Sequence, residues 1–335
     1  MWERSLAIHD VLTGTLGMRA QAEKYLPRLC NESDACWQTR INRSVVSPLL
    51  DRTIKASVGL IMRKPIIFDR GDEEYWEEWR TDVDRAGSTV DEFIGKVIYS
   101  AIAYGHCGFI TDFPSNDART LREEREIAAR PYFLQEEAAN ILGWRHDPVE
   151  NQGMLQQVRF REFITEAEGR FGNTVNRQVR VMEPGRFEVW RESEYGSNSY
   201  EMQDSGTISV PEIPLSIVYS QRQSVLTSRP PLEPLAHLNI QHFQLAALED
   251  QIGRLGLTIL ARPKASAESG TKAAIDRADS NSMLAQISIN AEQALQQAMD
   301  WAGEYAGVEP PRVGIDRDFN AETLDGPAIA QFVNL

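Results

Sequence analysis

The amino-acid sequence predicts an α+β fold, in which helices make up most of the chain and one small β-rich module is inserted between them. Apolar residues recur at helical spacing before residue 105 and again after residue 232. Between about residues 155 and 220 the apolar residues alternate with polar ones, which is typical of strands. Glycine and proline residues separate these stretches, and 335 residues are enough for more than one structural unit.

The first 60 residues are predicted to form three helices. The first begins near Trp2 and ends at Pro27, because proline cannot continue a helix. The second runs over residues 34–46. The third runs over residues 49–62, and its apolar side chains recur at helical spacing: Leu50, Ile54, Val58 and Ile61.

Helical and extended segments alternate in the next part of the chain. A short amphipathic helix is expected at residues 75–79. Ser88 stands three residues before Asp91, which is the spacing of a capping box, so a helix is expected to begin here and to end at Gly105. Residues 108–113 have the composition of a buried strand.

Helices return after the β-rich module. A helix is expected from about residue 235 to 255, because a proline-rich start precedes it. A long helix is expected over residues 271–305, with Gly307 as its C-terminal cap. A strand near Val313 and a helix from Pro327 complete the prediction. Small residues dominate the apolar stripe of the long helix, which consists of Leu284, Ile287, Ala291, Ala294, Leu295, Ala298 and Ala302.

The composition narrows the function classes. The net charge is −14 and the basic residues are scattered, which argues against a domain that grips DNA through its phosphates. A surface past which DNA slides is still compatible with this charge. No stretch is apolar enough for a membrane helix and no secretory signal is apparent, so we expect a soluble protein made in a cytoplasm and no membrane partner. The cysteines Cys30, Cys36 and Cys107 are expected to be free thiols.

Two short motifs partly match chemical sites. Residues 82–87 begin like a calcium loop, but that loop also requires an oxygen ligand at Ala86 and a bidentate Glu at Phe93, so a capped turn is predicted instead. His106 and Cys107 have the residue types of a base and a nucleophile. Because neighbouring side chains rarely face each other, a packed turn is the better prediction.

The other candidates for metal or cofactor chemistry are weak. His237 and His242 are five residues apart, whereas four would align two ligands on one helix face. Four carboxylates near the C-terminus could hold the metal ions of a nuclease, namely Asp316, Asp318, Glu322 and Asp325. A metal-dependent nuclease is therefore kept as an alternative. No phosphate-binding or dinucleotide-binding glycine motif occurs, so we expect no cofactor and no enzymatic activity.

Several segments resemble, in order, a subfamily of tailed-bacteriophage portal proteins that has long been catalogued as a domain of unknown function. None is decisive alone, and their order and spacing over most of the chain carry the resemblance. The segments are residues 23–28 (EKYLPR), 40–43 (RINR), 59–65 (GLIMRKP), 82–87 (DVDRAG), 104–114 (YGHCGFITDFP), 130–132 (RPY), 140–145 (NILGWR) and 230–240 (PPLEPLAHLNI).

The resemblance implies a portal fold, and with it a location in the virion. Portal proteins form a ring, usually of twelve subunits, at one vertex of the capsid, surrounded by the major capsid protein. A terminase pumps double-stranded DNA through the ring without sequence specificity, and a head-tail adaptor later binds the ring and carries the neck and tail. An alternative within the virion is another capsid-associated neck or adaptor protein.

The resemblance also implies a division into the parts of a portal subunit. A helical wing corresponds to residues 1–130, a first stem segment to 131–145 and a β-rich clip to 146–222. The returning stem helix and its connection correspond to 223–260, and a second part of the wing with the base of the crown corresponds to 261–335.

Two sets of residues are expected to carry the portal function. The clip surface for terminase and adaptor is expected to include Arg159, Arg161, Arg180, Arg186 and Glu188. The stem helix near the channel is expected to present Gln241, Gln244 and Glu249. A ring multiplies the charge of each subunit, so acidic and neutral side chains along a channel would repel DNA phosphates rather than hold them.

The sequence departs from the portal pattern in two places. Family members carry several dozen further residues after the position of Ala247, where this chain continues directly into Leu248. Family members also continue beyond the position of Leu335. The bounds of the stem and of any loop in the channel therefore stay open.

Overall fold

A computed structural model describes residues 2–28, 30, 32–69, 71, 73–114, 129–148, 154–192, 199–244 and 270–317 of the chain. Helices and strands are both abundant, and the strands form antiparallel sheets, so the predicted α+β class is confirmed. The expected carboxylates Asp318, Glu322 and Asp325, the expected stem residue Glu249 and the helix from Pro327 lie outside the described residues.

The described residues contain seven helices before the strands of the β-rich region and two after them. They are α1 (Trp2–Leu12), α2 (Gly14–Ala20), α3 (Ala22–Tyr25), α4 (Asp34–Arg43), α5 (Leu49–Ile61), α6 (Glu73–Trp79), α7 (Val90–Tyr104), α8 (Glu233–Gln244) and α9 (Gly270–Ala306). The single helix expected before Pro27 is broken into three. Gly14 has a φ of +73°, a conformation that glycine adopts without steric cost, and it interrupts the first helix there.

Across the ranges that the structure describes, the strands belong to four antiparallel sheets. They are β1 (Ile67–Asp69), β2 (His106–Asp112), β3 (Tyr132–Glu137), β4 (Ile141–His146), β5 (Leu155–Glu168), β6 (Gly172–Glu183), β7 (Arg186–Glu192), β8 (Tyr200–Thr207), β9 (Leu215–Tyr219), β10 (Arg222–Ser224), β11 (Thr227–Ser228) and β12 (Arg312–Gly314). The two larger sheets have the orders β3-β2-β9 and β4-β5-β6-β7-β8, and β1-β12 and β10-β11 form the two smaller ones. We call the first of these the body sheet and the second the meander.

The body sheet lies between the helices and the meander. Phe109 and Val218 on one face of the sheet join the core formed with the helices. Ile110 and Leu215 on the opposite face join a second core with side chains of the meander, including Phe160. Because successive side chains of a strand point to opposite faces, one sheet can serve both cores.

Aromatic side chains connect α6 to the body sheet. Trp76 and Trp79 are in edge-to-face contact, with ring centroids 5.5 Å apart, and Trp79 contacts Phe133 of β3 at 5.0 Å. Phe133 in turn lies 5.1 Å from Phe109 of β2. Such contacts add to the stabilisation that burial of the rings already provides. These ring contacts hold the short and acidic helix α6 against the body sheet.

A capping box begins α7, one residue later than predicted. The hydroxyl of Thr89 accepts a hydrogen bond from the backbone N–H of Glu92, and the Glu92 carboxylate accepts one from the backbone N–H of Thr89. Asp91 instead accepts a hydrogen bond from the backbone N–H of Ile66. Glu fits the third helical position because its longer side chain reaches back to the cap. The prediction based on Ser88 and Asp91 was therefore wrong.

The C-terminal helix α9 packs on the body sheet through its small residues. All seven residues of the predicted stripe are buried. The backbone carbonyl of Ala298 lies 3.4 Å from the hydroxyl of Thr111 on β2, and Asn290 donates a hydrogen bond to the carbonyl of Tyr219 on β9. Alanine at the contact permits this close approach, so the predicted helix and its stripe are confirmed.

The β-rich module has different bounds from those expected. β4 already belongs to the meander, and residues 131–145, expected as a first stem segment, contain strand β3 and most of β4 rather than a helix. At the other end, β9 pairs with β2 of the body sheet and not with the meander. The sequence of β9 is almost continuously apolar because both of its faces are covered.

Candidate interaction site

The register of the meander assigns its side chains to two faces. Phe160 of β5 lies opposite Arg180 of β6, on the face that packs against the body sheet, which we call the inner face. Arg159 lies opposite Val181 on the other side, which we call the outer face. Directly opposite side chains of an antiparallel pair share one face, so the register alone identifies the neighbours on each side.

A row of four side chains crosses the outer face. Arg161, Val179, Trp190 and Met202 lie in register on β5, β6, β7 and β8. Met202 at the end of this row is 55% exposed. Neighbours in such a row are within contact distance of each other. The outer face therefore presents a guanidinium beside an apolar strip.

Beyond this row, β5 and β6 continue as a two-stranded ribbon over residues 162–177. On its outer face Phe163 and Val175 are 61% and 62% exposed. Arg177 lies directly opposite Phe163. Because Val175 lies diagonally across the ribbon from Phe163, the two side chains form one exposed apolar patch.

The inner face of the ribbon is polar and internally hydrogen-bonded. Gln178 donates to Glu162 at 2.6 Å, Asn176 to Glu166 at 2.7 Å and Thr174 to Glu168 at 2.7 Å. Arg191 of β7 also pairs with Glu166 at 2.7 Å. Apart from Ile164, the ribbon thus carries polar side chains on its inner face, whereas its outer face carries Arg177 beside the exposed Phe163 and Val175.

Four of the five residues expected on the clip surface lie on the outer face. Arg159 is exposed, and Arg161 is half-buried. The exposed Arg186 pairs with Glu183, and Glu188 accepts a hydrogen bond from Trp190 Nε1 at 2.9 Å. The structure therefore brings these four side chains to one face of one sheet. Whether they contact a partner stays a prediction.

The fifth residue, Arg180, is not at the surface. Its side chain is only 19% exposed on the inner face, where Nε lies 2.6 Å from Glu162 and Nη1 lies 3.6 Å from Asp112 of the body sheet. Val179 and Val181, in contrast, are half-exposed on the outer face. In most strands the apolar side chains are buried and the arginine is exposed, so the arrangement on β6 is reversed. The register with Phe160 causes this inversion, and the two carboxylates make the buried charge tolerable.

Carboxylates from both sheets surround Arg180 and form a polar seam. Asp112 and Glu136 come from the body sheet and Glu162 from the meander. Burial opposes the charge of Arg180, but the attraction of Glu162 and Asp112 outweighs it and raises the pKa of the guanidinium. Burial, together with the nearby negative charge of Glu162, raises the pKa of Glu136 to about 8. Three carboxylates with one guanidinium thus favour a protonated Glu136 at neutral pH.

The residues expected near a channel lie on or after α8. Gln241 is exposed, and Gln244 is exposed but donates a hydrogen bond to the carbonyl of Tyr25 at 2.9 Å. On the opposite side of the helix, Asn239 donates to the carbonyl of Ser47. The described part of α8 is therefore attached to the N-terminal helices, with Gln241 facing away from that contact.

His106 and Cys107 do not face each other. His106 Nδ1 lies 2.9 Å from the hydroxyl of Ser228, whereas Cys107 is near Gln135 on the other face of the body sheet. Burial lowers the pKa of His106 to about 4 and raises the pKa of the Cys107 thiol to about 12. A neutral thiol is a poor nucleophile. Cys30 and Cys36 are exposed, and all three cysteines are free thiols.

The carboxylates of residues 82–87 stabilise a turn. Asp82 accepts a hydrogen bond from the backbone N–H of Gly87, and Asp84 accepts hydrogen bonds from those of Ala86 and Ser88. Asp82 also pairs with Arg130 at 2.5 Å. These bonds occupy the oxygen atoms that a calcium ion would need, so the capped turn is the better description.

Asp316 of the suggested nuclease cluster is paired with basic side chains. Lys64 Nζ lies 3.1 Å and Arg63 Nη2 lies 3.4 Å from its carboxylate. Within the described ranges, no group of three or more His, Cys, Asp or Glu side chains is arranged to hold a metal ion. In the same part of the chain, no helix is both long and apolar enough to cross a membrane.

The sequence reasoning missed the apolar members of the outer face. Phe163, Val175, Trp190 and Met202 are not among the predicted site residues, although each lies in the stretch of about residues 155–220 that is predicted to be β-rich. Their spacing could have identified Phe163. It follows Phe160 by three positions, and an odd offset within a strand places two side chains on opposite faces.

The fold is that of an α+β protein in which a five-stranded meander is inserted between strands of a three-stranded body sheet. A family model described as a domain of unknown function, DUF4055, matches residues 244–306. This region extends from the last residue of α8 to the last residue of α9. No curated protein matches the chain.

Proposed function

We propose that the chain is a subunit of the portal ring of a tailed bacteriophage. The observation that carries the proposal is the way in which the meander is inserted. The chain leaves the body sheet after β3, forms five consecutive antiparallel strands, and returns as β9, which pairs with β2 on the other side from β3. A β module that projects from a mainly helical body is the arrangement that the resemblance to portal proteins implies for the clip.

The outer face of the meander supports a role in assembly. Phe163 and Val175 are exposed on a ribbon that extends past its neighbouring strands, with the exposed Arg177 beside them, and Arg159 is exposed farther along the same face of β5. In the proposed function these side chains contact terminase during packaging and the head-tail adaptor afterwards. The helical parts of the chain contact neighbouring subunits and the major capsid protein, with the wing, stem and crown divided as the resemblance implies.

The negative charge of the chain supports a channel through which DNA passes rather than a site that binds DNA tightly. A ring of subunits that each carry −14 would have a strongly negative field. Gln241 and Gln244 on α8, followed by Glu249, would place neutral and acidic groups near the channel. Phosphates that meet such groups slide past because few cations hold them.

Electron microscopy of the purified protein tests the proposal. We expect rings with a central hole, formed by the chain alone or together with its scaffold protein. Monomers at micromolar concentration under both conditions would contradict the proposal. A ring found in the neck of a virion map rather than at the capsid vertex would favour an adaptor instead.

A further inference from the structure

The outer face of the meander differs in charge from the rest of the chain. Arg159, Arg161 and Arg177 lie on adjacent strands β5 and β6, and none of them forms an ion pair with a described residue. Two carboxylates of this face are already engaged, since Glu183 pairs with Arg186 and Glu188 accepts the Trp190 hydrogen bond, and the third, Glu192, is exposed at the end of β7. In a chain with a net charge of −14, this face is locally basic.

The arginines stand among apolar side chains rather than among other polar groups. Arg161 begins the row that continues through Val179, Trp190 and Met202, and Arg177 is opposite the exposed Phe163. The Nε of Arg161 is buried and has no hydrogen-bond partner within the described residues. Because Nε is covered by protein atoms, a ligand would reach the half-buried Arg161 through its terminal guanidinium nitrogens.

We infer that the outer face binds an acidic protein segment that carries apolar side chains between its carboxylates. Carboxylates of the segment would pair with Arg159, Arg161 and Arg177, and guanidinium groups suit such pairs because their fork matches the carboxylate geometry. Apolar side chains of the segment would cover Phe163, Trp190 and Met202. Buried aromatic and arginine anchors of this kind supply most of the binding energy in protein interfaces.

The same features disfavour nucleic acid as the occupant. The side chains of valine and methionine form neither hydrogen bonds nor ion pairs with a phosphate group, yet they make up much of the outer face. The glutamates on the inner face of the ribbon, Glu162, Glu166 and Glu168, would repel a polyanion that wraps around the ribbon. An acidic protein segment needs to contact only the outer face.

This inference rests on the proposed function, because it specifies the chemistry of the partner that a clip would bind. The two can fail separately. Rings without preference for acidic peptides would overturn the inference alone. Monomers with that preference would overturn the proposed function alone.

Selection from a displayed library of random peptides tests the inference without knowledge of the partner. Peptides of about 15 residues are long enough to cross the sheet when extended. We expect the intact protein to enrich acidic peptides with interspersed apolar residues, and the enriched peptides to bind about tenfold more weakly to Arg177→Glu, Arg159→Glu and Phe163→Ser variants. The matched control is Arg52→Glu, which reverses an exposed charge on α5 and should leave binding unchanged.

Arg177→Gln removes the charge without reversing it and so disturbs the fold less than Arg177→Glu. It should also weaken binding of the enriched peptides. Enrichment of basic or uncharged peptides, or equal binding to wild type and the outer-face variants, would overturn the inference. Binding of a random-sequence DNA duplex that is lost in the same variants would assign the face to nucleic acid instead. Dissociation of an oligomer by Arg177→Glu would assign it to a second copy of the chain.

Discussion

Arg180 of β6 and Glu162 of β5 form an ion pair on the inner face of the meander, with 2.6 Å between Nε and Oε1. The same guanidinium lies 3.6 Å from Asp112 of the body sheet and 5.7 Å from the ring centre of Phe187. One side chain therefore links the two sheets through charge and also packs against the second core. The attachment of the meander to the body depends on this contact as well as on apolar packing.

Removal of Arg180 is expected to destabilise the protein strongly. Arg180→Met preserves much of the side-chain volume but leaves Glu162 and Asp112 without their cation, and the loss of one partner from a buried pair costs about 3–5 kcal/mol. Urea unfolding of the purified variant measures this cost. Arg186→Met is the matched control, because Arg186 is exposed and solvent screens its pair with Glu183, so this variant should lose little stability. Equal losses for the two variants would contradict the role of the seam.

The protonation of Glu136 is expected to make stability depend on pH. Its pKa is raised to about 8 in the folded protein, against 4.5 in the unfolded chain. Between these values the folded state holds a proton that the unfolded state releases, so the free energy of unfolding falls as pH rises, by up to about 1.4 kcal/mol per pH unit. The stabilisation is complete below pH 4.5 and is lost as pH passes 8. Glu162, Arg180, Asp112 and the adjacent Glu137 are the charged groups around this carboxyl.

A Glu136→Gln variant isolates this contribution. Glutamine keeps the shape of the protonated acid but does not titrate, so the variant should gain stability over wild type as pH rises from 5 to 8. His106 titrates with the opposite sign, because burial lowers its pKa to about 4 and its contribution is lost as pH falls. That contribution is common to both proteins and cancels in the difference. A difference that does not change with pH would show that Glu136 is ionised in the folded state.

Sequence reasoning located most helices and strands but not the relation between the two sheets. Val158 and Phe160 alternate with Arg159 and Arg161 in the stretch predicted to be β-rich, and both are fully buried. The same rule failed for Arg180, because the partner strand and the carboxylates of the body sheet decide which face of β6 is buried. Such pairings join residues far apart in the chain, as Asp112 and Arg180 are, and no local pattern reports them. The face of the meander that carries the candidate site was predictable only where the strand pattern was regular.

The capping box of α7 is expected to contribute measurably to stability. Thr89→Ala removes the hydroxyl that accepts the backbone N–H of Glu92, and loss of an N-cap costs about 0.5–2 kcal/mol. Thr39→Ala, within α4, is a suitable control because the exposed hydroxyl of Thr39 donates a hydrogen bond to the carbonyl of Ala35 in the same helix and caps no helix end. That substitution should be neutral or slightly stabilising, since alanine favours helices. Thermal unfolding of both variants checks the prediction, and a larger loss for Thr39→Ala would contradict it.

Two phenylalanines of β5 are expected to respond in opposite ways to truncation. Phe160 is fully buried in the second core, so Phe160→Ala should cost about 3–5 kcal/mol. Phe163 is 61% exposed on the outer face, so Phe163→Ala should change stability by less than about 1 kcal/mol.

Denaturant unfolding of both phenylalanine variants, made in the same strand and by the same chemical change, measures the contrast. A comparable loss for Phe163→Ala would mean that this ring stabilises the fold. The expected small loss would instead leave the exposed ring without a structural role in the isolated chain. Because an exposed phenylalanine costs solubility and gains nothing in folding, its position beside Arg177 is then best accounted for by contact with a partner.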